Sequence, residues 1–420
     1  MKKNIWSGIL ALGLCAGLYA QDLDTGDEAL KFKSFGAIGG LYNQGIGSKH
    51  SYVNLMAHVG VAFSLENGWD FGIGAIGGWN IYNKNSPNGF NFGDYNGIGD
   101  RGDISEAYVH YKNSRFEFAV GRFNTNFIKF DYLSGNIQGA SATMLVNNVR
   151  LWAVFMDSLL LTGSNPNISS TLDGTNVILG YYPTAKKNIL GVWGEVLAGG
   201  VNYSISGFDV NGFVLLDTQL PSNVLPGRNG VLFQAGGDVR YGFDFSGDWR
   251  SDSVLRGIFQ LGNTSMNPAT SIGAGDALAG LLWFDQTFKY KIFDFGAGIY
   301  SIMSSYLNGG IYTFNDPSRF YGKTINFPTT FPSPYFSSGS AGQYLNGYIF
   351  GSIDLMKSSL PIKLDGMISF GRYQEYSIIL DYNAWNYQNL HFNMGVGYVY
   401  SKLSAETGKS SFLLFGRFFY

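Results

Sequence analysis

Apolar and polar residues alternate with a period of two along most of this chain. Between residues 52 and 66, one face of the segment carries only apolar side chains, namely Val53, Leu55, Ala57, Val59, Val61, Phe63 and Leu65. The other face is mostly polar or small. Asn67-Gly68 suits a tight hairpin because both residues tolerate positive φ, and the alternation then resumes from Trp69 to Ile81. The pattern predicts one long β-hairpin.

The same alternation recurs to the end of the chain, whereas helical spacing is nowhere sustained. In the final segment, one face carries Phe412, Leu414, Gly416, Phe418 and Tyr420, so the chain ends on an aromatic residue. Short links between strands are predicted at 66–68, 112–115, 183–188 and 356–361. Longer links are predicted at about 83–101, 124–140, 157–174, 218–229, 263–275 and 305–343.

The two faces of the predicted strands indicate their surroundings. A water-soluble sandwich would bury the apolar faces against a second sheet, but the opposite faces here are rich in Gly, Ser, Asn and isolated charges. Lipid outside and water inside fit this pattern better. In hydrocarbon every backbone donor and acceptor must be paired, so a sheet spans a membrane only when it is closed. We therefore predict an all-β fold, a transmembrane antiparallel β-barrel of about 18 strands, with 16 as the alternative.

Such a barrel would place short turns in the periplasm and long loops outside the cell. An interior of this width is not filled by wall side chains, so the lumen is expected to hold water. The longest loop, near 305–343, is rich in aromatic residues and prolines. It is expected to pack on itself or into the barrel mouth, where it would cap the pore or present an epitope.

Composition excludes several other classes of protein. Only 14% of the 420 residues are charged, against roughly a quarter in a soluble globular chain. Glycine (58 residues) and the aromatic residues (27 Tyr, 34 Phe and 8 Trp) are abundant. Outside the N-terminus no apolar run approaches the roughly 18 residues that a spanning helix needs. The abundant aromatic residues and the small net charge also exclude disorder.

Residues 1–20 have the features of a cleaved signal peptide. Two lysines at positions 2 and 3 precede an apolar stretch from Ile5 to Leu18, as in an export signal. A lipoprotein anchored at Cys15 is disfavoured because Leu14 is too bulky for the usual recognition sequence. Cys15 is the only cysteine, so the exported chain is expected to contain no disulfide. Residues 21–420 are expected to form a single barrel domain.

One hairpin carries a resemblance to a known family. The sequence EAYVHYK from Glu106 to Lys112, followed by FEFAVGRF from Phe116 to Phe123, resembles the EAY…Y…VGR hairpin of the OprD-like, substrate-specific porins. It looks closest to the Helicobacter Hof family of outer membrane proteins, which are related to these major outer membrane porins. The resemblance implies that the segment after the hairpin, near 124–140, folds inward as a constriction loop. Its pore-facing residues would then be Asn126, Phe127, Lys129, Asp131 and Tyr132.

The chain departs from the porin pattern inside that loop. Where the pattern has Asp-Ser-Arg followed by a proline, this chain has Asp131-Tyr132-Leu133-Ser134-Gly135. A preference for anionic solutes therefore does not carry over from the resemblance.

Charged residues of both signs fall on the faces predicted to line the lumen. They are Arg115, Glu117, Asp238, Arg240, Arg250, Asp252, Arg256, Asp285, Lys289, Lys363 and Asp365. A ring of one sign would select ions, but interspersed signs predict no strong ion selectivity. The alternative is that these are solvated residues of the kind that any wide barrel contains.

Catalytic, cofactor and metal sites are not predicted. The four histidines, at 50, 58, 110 and 391, do not begin the His-x-Ser pattern of outer membrane phospholipases, and neither zinc spacing nor a phosphate loop is present. Asp94, Asn96, Asp100 and Asp103 could supply oxygen ligands to Ca²⁺, but Ile98 breaks the EF-hand spacing. Lys and Arg (28) do not outnumber Asp and Glu (30), so nucleic-acid binding is not expected.

We therefore predict a bacterial outer membrane porin or porin-like channel for passive diffusion of small hydrophilic solutes, and not an enzyme. The alternative is a surface adhesin that uses the barrel as an anchor, motivated by the integrin-type tripeptide Arg101-Gly102-Asp103. The expected partners are outer membrane lipid, lipopolysaccharide, the barrel assembly machinery and the solutes, and Phe418 and Tyr420 would target the chain to the membrane. Whether three barrels associate as a homotrimer stays open.

Overall fold

The computed structural model describes residues 30–47, 51–83, 101–125, 136–161, 184–186, 195–221, 229–245, 247–262, 277–304, 311, 319–322, 342–358, 360–387, 390–403 and 407–419. Within these ranges no helix is long and apolar enough to cross a membrane. The described residues form nineteen strands: β1 (Leu30–Ile46), β2 (Ser51–Leu65), β3 (Trp69–Asn83), β4 (Arg101–Lys112), β5 (Phe116–Asn124), β6 (Asn136–Val146), β7 (Val149–Leu161), β8 (Thr184–Lys186), β9 (Val196–Ile205), β10 (Phe208–Pro221), β11 (Asn229–Asp244), β12 (Trp249–Gly262), β13 (Ala277–Tyr290), β14 (Phe293–Ser304), β15 (Gly342–Asp354), β16 (Ile362–Gly371), β17 (Tyr373–Tyr387), β18 (Leu390–Leu403) and β19 (Lys409–Phe419).

Eighteen of these strands form one closed antiparallel sheet. Consecutive strands pair along the chain, with β7 followed by β9, and β1 closes the ring by pairing with β19 from Ala37 opposite Phe419 to Ile46 opposite Ser410. The short strand β8 lies outside the ring and pairs with the last three residues of β7. Closure removes the free edges that an open sheet would expose. The predicted 18-stranded barrel is confirmed, and the alternative of 16 strands is wrong.

Residue parity divides the barrel wall into an outer and an inner face. On β7, Leu151 and Phe155 point outward and are exposed, whereas Trp152, Val154 and Met156 point inward and are buried. Exposed large apolar side chains occur around the whole ring, for example on β3, β13 and β19. A continuous apolar exterior of this size suits contact with lipid better than contact with water.

The two ends of the barrel differ in the length of their links. We call the end where β1 begins and β19 ends the terminal end, and the opposite one the loop end. Links at the terminal end are short, at 66–68, 113–115, 147–148, 206–207, 245–248, 291–292, 355–361 and 388–389. Most links at the loop end are longer, at 84–100, 125–135, 162–195, 222–228, 263–276 and 305–341.

Several predicted link boundaries need correction. Residues 183–188 were predicted as a short turn, but Thr184–Lys186 form β8 inside the long link between β7 and β9. Strand β6 begins at Asn136, so the link after β5 covers 125–135 rather than 124–140. The turns at 147–148 and 206–207 were missed because the left-handed backbone begins at non-glycine residues, Asn147 (φ 54°) and Ser206 (φ 45°).

Aromatic rings cluster on the outer face near the terminal end. Trp249 stacks on Tyr290 with ring centroids 4.5 Å apart, and Phe208 stacks on Tyr241 at 4.2 Å. Similar pairs occur on neighbouring strands. Aromatic girdles of this kind lie at the membrane interface of transmembrane barrels.

Candidate pore lumen

The inner face of the barrel changes character along the barrel axis. Near the terminal end it carries buried charged side chains, such as Glu117, Asp238 and Asp294. Toward the loop end it carries a cluster of buried apolar side chains, including Val154, Met156, Ala198, Leu215, Leu281 and Ile302, next to buried polar ones such as Asp217, Gln234 and Gln260. The sequence predicts small and polar residues on the inner face and does not predict this apolar cluster. The physical reason is that part of a loop, including Ile311 and Phe320, packs against this half in the same apolar cluster.

A ladder of charged side chains crosses β3, β4, β5 and β7 in the terminal half. His110 lies between two carboxylates, with its Nδ1 2.9 Å from Asp70 Oδ2 and its Nε2 3.1 Å from Glu117 Oε1. Glu117 Oε2 lies 3.7 Å from Lys112 Nζ and 4.0 Å from Arg150 Nη1. The ladder follows from the strand register, because Asp70 is opposite His110 and Lys112 is opposite Glu117.

A second polar group crosses β10, β11 and β12. Asn211 Nδ2 donates a 2.7 Å hydrogen bond to Asp238 Oδ1, and Arg240 Nε donates to the same oxygen at 3.0 Å. Arg256 lies beside this group, with its guanidinium carbon 4.7 Å from the centre of the Trp283 ring. Opposite charges are thus paired along the wall.

A third group lies closer to the terminal end, on β12 and β13. Asp252 accepts from Arg250 Nε at 2.8 Å and lies 2.7 Å from Lys289 Nζ. The two cations hold the carboxylate from either side. Lys363 and Asp365 form a further pair on β16, 3.2 Å apart.

Among the described residues of the longest link, Ile311 and the segment 319–322 lie inside the barrel. We call this segment, Arg319 to Gly322, the arm. The Phe320 ring packs among three tyrosines of the wall, with centroids 6.1 Å from Tyr300, 5.4 Å from Tyr348 and 5.1 Å from Tyr373. The next side chain, Tyr321, belongs to a separate apolar cluster with Leu41, Tyr52, Ile379, Val399, Leu413 and Phe415. The arm therefore contacts β14, β15 and β17 directly and lies beside a cluster formed by β1, β2, β17, β18 and β19.

Glu375 on β17 holds the backbone of the arm. Its two carboxylate oxygens accept hydrogen bonds of 2.8 Å from the backbone N–H groups of Tyr321 and Gly322. The hydroxyl of Tyr373 donates to Oε2 at 2.6 Å. Glu375 is completely buried, and its carboxylate oxygens accept from all three of these donors.

Arg319 connects the arm to Asp285 on β13. Its Nη2 lies 3.6 Å from Asp285 Oδ1 and donates to Thr287 Oγ1 at 3.1 Å. The guanidinium also stacks over Phe350, 3.8 Å from the ring centre, an arrangement that stabilises a cation. Asp285 Oδ2 accepts a 2.5 Å hydrogen bond from Tyr348.

The other residues singled out from the sequence fall into three groups. Arg115 lies in the turn 113–115, where its side chain is exposed. Phe418 lies on β19 and its ring stacks on Trp385 with centroids 6.4 Å apart. Six residues lie outside the described ranges, namely Asn126, Phe127, Lys129, Asp131, Tyr132 and Tyr420.

The motif that suggested an adhesin lies in a strand, and most of the motif that suggested a calcium site lies outside the described ranges. Arg101-Gly102-Asp103 forms the start of β4 and pairs with β3, so its backbone is part of the sheet rather than a loop. Three of the four proposed calcium ligands, at 94, 96 and 100, lie outside the described ranges. Within those ranges no group of three or more His, Cys, Asp or Glu is arranged to hold a metal ion.

Sequence reasoning missed the residues that fix the arm. It named Phe320 among the aromatic residues of the long link expected to pack on itself or into the barrel mouth, but it did not select Arg319 or Glu375. The available signal was weak: an isolated acid on an inward position of β17, between Tyr373 and Ser377. Which loop contacts this acid depends on the closed ring, so spacing along the chain could not reveal it.

Comparison with known proteins gives similarity of fold. No protein-family model matches the sequence, and no curated protein matches it. The outer membrane protein OpdK from Pseudomonas aeruginosa has a TM-score of 0.63 at 11% identity, over 93% of this chain and 98% of that one. A BenF-like porin from Pseudomonas fluorescens Pf-5 has a TM-score of 0.63 at 9% identity with the same coverage. OccD3 (OpdP) from Pseudomonas aeruginosa has a TM-score of 0.62 at 10% identity, over 96% and 92%. The chain therefore has the fold of these outer membrane porins.

Proposed function

We propose that this protein is an outer membrane channel through which small hydrophilic solutes diffuse passively. The observation that carries the proposal is the closed wall of eighteen strands, which is apolar outside and bears paired charges inside. A barrel of this size leaves a lumen wider than wall side chains can fill. Similarity to solved porins supports the same function. The terminal end, with its short turns, would face the periplasm.

The lumen would be narrowed from two directions. The link after β5, with Asn126, Lys129, Asp131 and Tyr132, would enter from one wall, and the arm enters from the loop end. Solutes would then pass between side chains of both signs, including Glu117, Asp238, Arg240, Arg256 and Lys289. Charges of both signs at a constriction produce a transverse field that orients polar solutes.

The same proposal includes export and assembly. Residues 1–20 would be removed during export, and the final strand, with Phe418 and Tyr420, would be recognised by the barrel assembly machinery. Lipid and lipopolysaccharide would cover the outer face. Among the OprD-like porins, the hairpin at 106–123 supports a Hof-type relationship.

Recording from the purified protein in a planar bilayer tests the proposal. We expect discrete conductance steps, because an open lumen passes ions one channel at a time. Deleting residues 126–134 should increase the step size if this link narrows the pore. A folded protein that inserts into the bilayer and remains electrically silent would contradict the proposal.

Liposome swelling with sugars, amino acids and organic acids would define the solutes. One probe is vanillate, since the related fold of OpdK has been solved with vanillate. Swelling with small polar solutes, and none with solutes too large for the lumen, is the expected result. Protein denatured by heat before reconstitution provides the control.

A further inference from the structure

The arm contacts two wall carboxylates on well separated strands. Glu375 is on β17 and Asp285 is on β13, with three strands between them in the ring. Both side chains point into the lumen and are buried. The arm is among the contacts that bury them, so it covers these two carboxylates as well as narrowing the lumen.

The arm binds the two carboxylates through different groups. At Glu375, two consecutive backbone N–H groups of the arm and one wall hydroxyl satisfy the carboxylate oxygens. At Asp285, the arm supplies a full positive charge from Arg319, while Tyr348 supplies a hydroxyl from the wall. Displacement of the arm would therefore return two carboxylates to the lumen, each with only its hydrogen bonds from wall hydroxyls.

We propose that the arm sets the ion preference of the pore by masking Glu375 and Asp285, in addition to narrowing it. This inference rests on the proposed channel function. In the docked state the arm hides two negative charges from permeating ions and places a paired cation over one of them. When the arm is displaced, the lumen becomes wider and more negative at the same time. Conductance and cation preference are thereby coupled through one segment.

Gly322 offers a way to displace the arm without changing any charge. A Cβ atom at this position would lie 2.6 Å from Ser401 Cβ and 2.7 Å from Glu375 Oε2, and it would also overlap the Tyr373 hydroxyl. Since Ser401 and Tyr373 belong to the wall, the arm has to move to accommodate a methyl group. Gly39 on β1 provides the control, because a Cβ there would lie in ordinary contact, 3.6 Å from Gly416 O and 3.8 Å from Arg417 Cβ.

The test is single-channel recording across a KCl gradient with Gly322→Ala and Gly39→Ala. For Gly322→Ala we expect a larger conductance step and a K⁺/Cl⁻ permeability ratio raised at least about fivefold, since one uncovered charge at about 4 Å in water favours K⁺ by about that factor and also disfavours Cl⁻. Gly39→Ala should match the wild type in both. Heat-modifiable migration in gels would show that each variant is folded.

Two further variants separate the effect of charge on cation preference from the effect of pore width on conductance. Arg319→Gln removes the cation over Asp285 and leaves the Glu375 contacts, so it should raise cation preference with little change in conductance. Glu375→Gln cannot accept both backbone N–H groups, because its amide presents a donor to one of them. It should therefore raise conductance as Gly322→Ala does, with a smaller rise in cation preference because the carboxylate is gone.

The possible results decide between separate conclusions. If the wild type does not conduct, the proposed function fails. If the wild type conducts but Arg319→Gln and Glu375→Gln both keep its permeability ratio, the masking role is wrong, even where Gly322→Ala cannot be folded. If the variants change conductance but never the ratio, the arm is only a steric obstacle and the inference is overturned.

Discussion

At the scale of single residues, backbone conformation explains one part of the hairpin that resembles OprD-like porins. Gly121 has φ +112°, a conformation that side chains with a Cβ rarely adopt. A Cβ here would overlap the backbone oxygen of Ala107 and lie 3.1 Å from Tyr108 Cα. The glycine of this motif therefore lets β4 and β5 approach closely.

We expect Gly121→Ala to destabilise the folded barrel by at least the 1–3 kcal/mol typical of a strained backbone residue. Urea-induced unfolding in lipid vesicles, followed by gel migration, would measure the loss. The matched control is Gly257→Ala, where the nearest atom to a new Cβ is Leu281 O at 3.9 Å. Equal stability of the two variants would show that the strain is absent.

Residues that share one sequence signal can have very different roles inside the barrel. Glu117 was interpreted as a lumen charge and binds His110, whereas Glu375, an inward acid that the sequence analysis did not single out, binds backbone of the arm. The sequence indicates that such residues face inward, because strand parity fixes the direction. Their partners depend on register and on loop placement, which parity does not determine.

At the scale of the strand, the alternation of apolar and polar side chains predicted the strands and their outward faces most reliably. The hairpin at 52–81 was predicted with the correct turn and the correct outward face, and the observed strands β2 and β3 pair through that turn. The turns at 147–148 and 206–207, where positive φ begins at Asn147 and Ser206, were harder to predict. The segment around 183–188 was misjudged because Pro183 is typical of turns, although β8 begins directly after it.

The orientation of strand β10 can be tested with one charge at two positions. Val214 is 53% exposed on the outer face, whereas Asn211 faces the lumen beside Asp238. Val214→Lys should destabilise the barrel by about 2–4 kcal/mol if the position lies near the middle of the bilayer. Asn211→Lys should be tolerated, because the new ammonium group can pair with Asp238.

Equilibrium unfolding of both variants in the same vesicles provides the measurement. The wild type and Asn211→Lys should unfold over a similar range of urea, with Val214→Lys at clearly lower concentration. Comparable destabilisation by both lysines would indicate that the outer face is not in contact with lipid.

At the scale of the whole molecule, closure of the ring depends on the pairing of β1 with β19. Asn43 is opposite Leu413 in this pairing, and both side chains face inward. Residues opposite each other in an antiparallel pair have Cα atoms about 4.5–5.5 Å apart, which is within the range that a disulfide can bridge.

A double variant with Asn43→Cys and Leu413→Cys should therefore form a disulfide on oxidation of the folded protein. The only cysteine of the chain is Cys15, within the predicted signal peptide. Non-reducing electrophoresis and mass measurement would detect the bond. Asn43→Cys combined with Leu414→Cys is the control, because Leu414 faces outward and should not react. Cross-linking in the control alone would mean that the register at the seam is shifted by one residue.

The apolar cluster inside the loop half of the barrel is also a property of the whole molecule. Apolar side chains on inward positions of β7, β9, β10, β12, β13 and β14 form one buried cluster with Ile311 and Phe320. Along each strand these residues look like isolated exceptions to the alternation. They become a continuous surface only when the ring closes and the long link enters it.

The sequence by itself determined the class of fold, the approximate number of strands and the face of each strand that meets lipid. These features follow from a local rule, since successive side chains of a strand point to opposite faces and a lipid-spanning sheet must close. Only the tertiary structure decided that the arm enters the barrel and that Glu375 and Asp285 hold it. Those contacts join residues more than thirty positions apart, such as Tyr321 and Glu375, and chain geometry brings such residues together only after the ring has formed.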